Sequence, residues 1–139
     1  MFISYSSKDK AVADALCRIM EERGLKVWYA PRNISADNSV SDYAEAIVSG
    51  IERCSHFVVI LSGSSLSSHH VLNEINLAHS EMNRRGINML PVKAEKISTS
   101  DFSPAFKYYL NVLHISGAFG DNREDELREF VDQRLFGGC

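Results

Sequence analysis

The sequence predicts an α/β domain built on a mostly parallel, doubly wound sheet of five strands. Three observations predict it. Short apolar runs alternate with segments of helical period along the whole chain. One run, His56–Leu61, reads His-Phe-Val-Val-Ile-Leu, nearly continuous in the way of a central strand covered on both faces. Gly24 and Gly86 each follow such a helical stretch, where a left-handed C-terminal residue belongs.

The elements follow in order. Residues 2–5 (Phe-Ile-Ser-Tyr) read as the first strand, and Ser6-Ser7-Lys8-Asp9 supplies capping chemistry for a helix. Val12, Leu16, Ile19 and Met20 give that helix an apolar face, and Gly24 ends it. Residues 25–29 form the second strand, followed by a polar, breaker-rich loop over residues 30–41 with Pro31, Asn33 and Asp37-Asn38. Tyr43, Ala44, Ile47 and Ile51 set a second helix on the core. His56–Leu61 is the third strand, and residues 62–68 are a small polar turn. A third helix over His69–Arg85 buries Val71, Ile75, Ala78 and Met82. Residues 87–92 form the fourth strand, residues 93–107 are irregular, and residues 112–115 form a short fifth strand. A last helix over residues 124–135 turns Leu127, Phe130, Val131 and Leu135 inward. Right-handed crossovers then give the strand order 2-1-3-4-5, a flavodoxin-like arrangement.

Composition bounds the function. At 139 residues the chain is one domain, residues 1–139, trimmed so tightly that it is either a compact protein or a domain of a longer one. A net charge of −3, with no basic run longer than Arg84-Arg85, argues against a nucleic-acid surface. The apolar runs are too short to span a bilayer. Three cysteines without CxxC spacing argue against structural zinc or a disulfide framework and fit a cytoplasmic location.

Sheets of this kind bind ligands beyond the carboxyl ends of the strands, beside the switch point between the first and third. That rule selects residues 4–9, 30–41 and 62–74. Several occupants of the fold are excluded there. A phospho-receiver needs acids where this chain has Ser4-Tyr5-Ser6 and Leu61-Ser62-Gly63. A dinucleotide fold needs glycines in a first turn that has none, and neither a P-loop nor a G-x-S-x-G elbow is present. His69-His70 is no metal site, since adjacent helical residues diverge by about 100° and no third ligand has useful spacing. Ser64 or Ser65 with His69 makes a poor catalytic triad, and the charges of residues 122–129 read as a solvated face.

What remains is a serine-rich first turn, a long second loop and one acid early in the third helix. Phe2-Ile3-Ser4-Tyr5-Ser6 with Asp9 resembles the first-strand motif of TIR (Toll/interleukin-1 receptor) domains. Val27-Trp28-Tyr29-Ala30-Pro31-Arg32-Asn33-Ile34 resembles the second strand and BB loop of bacterial members. Phe57–Ser62, Ser65, Ser68 and Val71-Leu72-Asn73-Glu74-Ile75 resemble the third strand and the S-x-W-V-x-x-E helix. The resemblance covers almost the whole chain in the right order.

In the NAD-cleaving branch of that family the helix glutamate breaks the nicotinamide–ribose bond, which implies Glu74 as the catalytic residue. NAD is then substrate, not cofactor, and no metal is implied. The logic is sound, because the nicotinamide ring is already cationic in NAD and leaves without a proton, and a carboxylate can stabilise an oxocarbenium-like ribose. The resemblance further implies that Ser4, Tyr5 and Ser7 line the pocket while Pro31, Arg32 and Asn33 close it. It also implies that other TIR domains associate through residues 30–41, that a fused or separate sensor triggers assembly, and that the role is antiphage or immune signalling. The family often has Trp four residues before the glutamate; this chain has His70, whose ring can stack in the same place. On a helical wheel Glu74 lies about 60° from the centre of the buried stripe, a half-covered shoulder position.

Plainer readings stand beside these. Glu74 can complement the helix dipole, and Ser4, Ser6 and Ser7 can be caps. Tyr5 is divided between core and base stacking, Trp28 favours the core, and Arg32 binds phosphate or is solvated. Two other functions are open. One is a non-enzymatic TIR–TIR interaction module, and the other is a nucleoside-processing transferase, a chemistry that also uses a glutamate on a related sheet.

Overall fold

The computed structural model describes residues 1–28, 40–111 and 113–136. Its sheet has four parallel strands in the order β1-β2-β3-β4: β1 (Phe2–Ser4), β2 (His56–Leu61), β3 (Asn88–Lys93) and β4 (Ser116–Gly117). Phe2 lies opposite Phe57, and His56 opposite Asn88. The helices are α1 (Lys10–Glu22), α2 (Val40–Arg53), α3 (His69–Arg85), α4 (Pro104–Leu110) and α5 (Arg123–Val131).

Strand alternation divides the core between the two faces of the sheet. Ile3, Val58, Ile60, Leu90 and Val92 meet Leu16, Ile19 and Met20 of α1 and Leu127, Phe130 and Val131 of α5. Phe2, Phe57, Val59, Leu61 and Met89 meet Ile47 and Ile51 of α2, Val71, Ile75 and Ala78 of α3, and Phe106 and Leu110 of α4. Pro91 is tolerated in an inner strand because β4 pairs only with Val92 and Lys93 and does not reach it.

The expected helix ends are realised at both glycines. Gly24 and Gly86 have φ of 79° and 74°, and the Gly86 N–H donates to the Met82 carbonyl at 2.9 Å. Arg85 then ties α3 to the end of α2, donating to the Ile51 and Cys54 carbonyls.

Four expectations need correction. Of the second strand, expected over residues 25–29, the described part pairs through one parallel bridge at Trp28 on the edge of β1 away from β2, and residue 29 lies outside the described residues. The Trp28 N–H donates to the Met1 carbonyl, and the Ile3 N–H to the Trp28 carbonyl. The sheet of the described residues is therefore four-stranded rather than five-stranded. The last strand is not at residues 112–115 but at Ser116–Gly117, because the Leu113 N–H is taken by the Leu110 carbonyl and its side chain by the core beneath α4. Residue 112 itself lies outside the described residues. The irregular stretch contains a capped 3-10 turn at Thr99–Asp101 and the helix α4, started by Ser103 and Pro104. Finally, the last helix stops at Val131 and continues as a π-helical turn, Asp132–Phe136.

Candidate functional site

Two serine–carboxyl pairs stand at the carboxyl ends of β1 and β2. The first follows from strand parity. Ser4 ends β1 two residues after Phe2, so its side chain leaves the sheet on the α3 face. Ser68 caps α3 by accepting from the Val71 N–H at 3.2 Å, and Val71, Ile75 and Ala78 press the helix onto that face. Glu74 is thereby held over the strand end, where Ser4 Oγ donates to Glu74 Oε1 at 2.5 Å.

Glu74 is more enclosed than its place on the helical wheel implies, with 9% of its surface exposed. The wheel counts only its own helix, whereas the end of β1 covers it from the side. Burial pushes its carboxyl up to about 7, against the Ser4 hydrogen bond, which pulls the other way. At neutral pH this acid is poised between its two forms.

The second pair is Asp9 and Ser62. Ser62 Oγ donates to Asp9 Oδ2 and accepts from the Ser65 N–H at 3.1 Å. Ser65 Oγ accepts from the Ser62 N–H at 2.7 Å and donates back to the Ser62 carbonyl. All three residues are buried. Burial raises the Asp9 carboxyl, the Ser62 bond lowers it, nearby Glu95 raises it and Arg123 lowers it. Glu95 also accepts from the Gly63 N–H at 3.1 Å, fixing the turn after β2.

The remaining expected residues are placed as follows. Tyr5 packs against the α1–α5 side of the core, across the sheet from Ser4. Ser6, not Ser4, caps the first 3-10 turn (Ser7–Asp9), its Oγ accepting from the Lys8 N–H, and Ser7 is exposed on that turn. His70 is exposed one helical turn before Glu74. Trp28 stacks on Phe2 with ring centroids 4.8 Å apart, as a core residue does. Pro31, Arg32 and Asn33 lie outside the described residues, as does most of the 30–41 loop. The Asp9–Ser62–Ser65 cluster was not singled out from sequence as part of the site. Its signals were that all three fall in the segments that the switch-point rule selects and among the residues that carry the family resemblance.

The fold and this pair of loops define a TIR-type α/β domain, and the comparisons agree. The family described as TIR domain matches residues 1–131, so the chain belongs to the TIR domain family. Among solved structures it is similar to the TIR domain of the Toll-related receptor TRR-2 from Hydra magnipapillata, at 19% identity and a TM-score of 0.70, covering 98% of this chain and 94% of that one. It is also similar to the TIR domains of the activated Roq1 resistosome, which recognises the pathogen effector XopQ, at 15% identity and a TM-score of 0.61, covering 99% and 90%. A third similar structure is the Clostridium botulinum CMP N-glycosidase BcmB, at 15% identity and a TM-score of 0.60, covering 93% and 96%. No curated protein matches the chain.

Proposed function

We propose that this TIR domain cleaves the N-glycosidic bond of NAD, releasing nicotinamide and leaving ADP-ribose or a cyclic isomer. One observation carries the reading: a buried carboxyl on α3, Glu74, held by Ser4 at the ligand-binding end of the sheet. When the C1′–N bond breaks, its electron pair neutralises the pyridinium nitrogen, so nicotinamide needs no proton. The ribose becomes oxocarbenium-like, and an ionised Glu74 stabilises that charge. Water, or an internal nucleophile in the cyclic case, then adds at C1′, and its proton passes to the carboxylate or to solvent. The low-dielectric setting that raises the Glu74 carboxyl also strengthens its attraction to a cation. Ser7 and His70, both exposed, would contact the substrate, and Pro31, Arg32 and Asn33 would close over it. The likeness to a resistosome supports activation by assembly of several copies; the 30–41 loop would join them, in cytoplasmic immune or antiphage signalling.

A second reading is favoured by the likeness to a CMP N-glycosidase: a nucleotide without the pyrophosphate is the substrate. The two readings differ in pH dependence. A cationic leaving group requires ionised Glu74, so turnover rises through about pH 7. A neutral base benefits from a proton donor, so turnover falls through the same range. Nicotinamide release from NAD by the domain, concentrated or clustered on beads, is measured beside Glu74→Gln and beside CMP as substrate. Loss of NAD turnover in the variant establishes the enzyme. Silence with every substrate, once assembly is verified, leaves an interaction module.

A further inference from the structure

The catalytic glutamate sits on a helix whose entry is tied down by the other serine–carboxyl pair. From Leu61 the chain passes through the Ser62–Ser65 knot and a 3-10 turn (Ser65–Ser67) to the Ser68 cap, and Glu74 follows in the second turn of α3. These links are short and hydrogen-bonded throughout: the Leu66 N–H donates to the Ser62 carbonyl, and the Ser68 N–H to the Ser65 carbonyl, each at 3.0 Å. The knot has outside anchors in Glu95, which accepts from the Gly63 N–H, and in Asp9, which belongs to the loop after β1, the strand that ends in Ser4. Ser4 reaches from β1 to an acid on α3, while Asp9 reaches from the β1 loop to the turn that starts α3. The two bonds brace the same pair of loops.

We infer that Asp9, acting through Ser62 and Ser65, is a positioning residue that holds the start of α3 so that Glu74 stays against Ser4. The inference rests on the reading of Glu74 as the catalytic carboxyl. Ser62 donates to Asp9, so the anchor needs an acceptor oxygen and not a negative charge; Asn serves in its place, and Ala does not. The effect is bounded, because Val71, Ile75 and Ala78 also hold α3 on the sheet.

The test is a carboxyl-carbon NMR titration of Glu74 in the full chain, with kcat and KM for nicotinamide release, for Asp9→Ala, Asp9→Asn and Ser62→Ala. In Asp9→Ala the Glu74 midpoint moves by about one unit or more: down if water reaches the carboxyl, up if only the Ser4 bond is lost. The kcat falls about 10-fold with little change in KM, as expected for a misplaced group that acts in the transition state. Asp9→Asn recovers most of both. A folded Asp9→Ala protein with unmoved midpoint and kcat overturns the inference, and so does an Asp9→Asn protein as impaired as Asp9→Ala. If thermal melts show Asp9→Ala unfolded, Ser62→Ala decides on the same two readouts. Absence of NAD turnover in every protein removes the proposed activity only, since the titration still decides the positioning.

Discussion

Glu74 carries opposite consequences for stability and for activity. Its carboxyl lies near 4.5 when exposed and near 7 in the fold, so the folded chain holds this proton more tightly. Stability is therefore full below the lower value and is lost as pH rises through the upper one, by about 3 kcal/mol in all. Glu74→Gln escapes this loss. The variant is expected to gain melting temperature over the parent at about pH 8 but not at about pH 5, while nicotinamide release disappears. A variant that is less stable at both pH values would show that the buried carboxylate is better compensated than its surroundings indicate. Ser4→Ala works in the other direction. The Ser4 bond favours the ionised form, so its removal moves the pH–rate midpoint upward and lowers kcat by about 10-fold, read from a full pH profile. The sequence put Ser4 in the segment beside the switch point, but not on the α3 face. The burial of Glu74 was not legible, because no helical wheel contains the strand that covers it.

Among the elements, the helix ends are set by local chemistry and can be tested singly. Gly86 has φ of 74° with nothing within 4 Å of an added Cβ, so Gly86→Ala bears only the left-handed backbone cost. Urea denaturation should report a loss of about 1 kcal/mol, with Gly86→Asn losing less. Gly50 in α2 differs, because an added Cβ would stand 3.2 Å from the Phe2 ring and 3.3 Å from Trp28. Gly50→Val pushes the helix off that stacked pair and should cost about 1–3 kcal/mol in the same assay, despite glycine's poor helix propensity. These local signals are why α3 was legible from Ser68 to Gly86. The strand expected at residues 112–115 misled because Leu113 and Ile115 serve the core as well from a helix exit as from a strand. The Leu113 N–H, satisfied by Leu110, decided between them.

At the scale of the whole molecule, α1 and α5 are laced by exposed ion pairs: Arg18–Glu124, Arg128–Glu22 and Arg23–Asp132. Such pairs are weak and screened, so Arg18→Ala should lower the melting temperature slightly at low salt and not at high salt. The two-faced core, not these pairs, bears the fold's stability. The sequence by itself determined the α/β class, the parallel sheet, the central strand, the helix ends at Gly24 and Gly86 and the segments where chemistry could lie. Each of these depends on periodicity, capping or topology, which are properties of neighbours along the chain. Only the tertiary structure decided that Ser4 meets Glu74 across 70 residues and that Asp9 meets Ser62 across 53. It alone also decided how deeply Glu74 is buried. Burial and hydrogen bonding between distant segments exist only once the sheet has brought its strand ends together, and those two quantities set the carboxyl's charge.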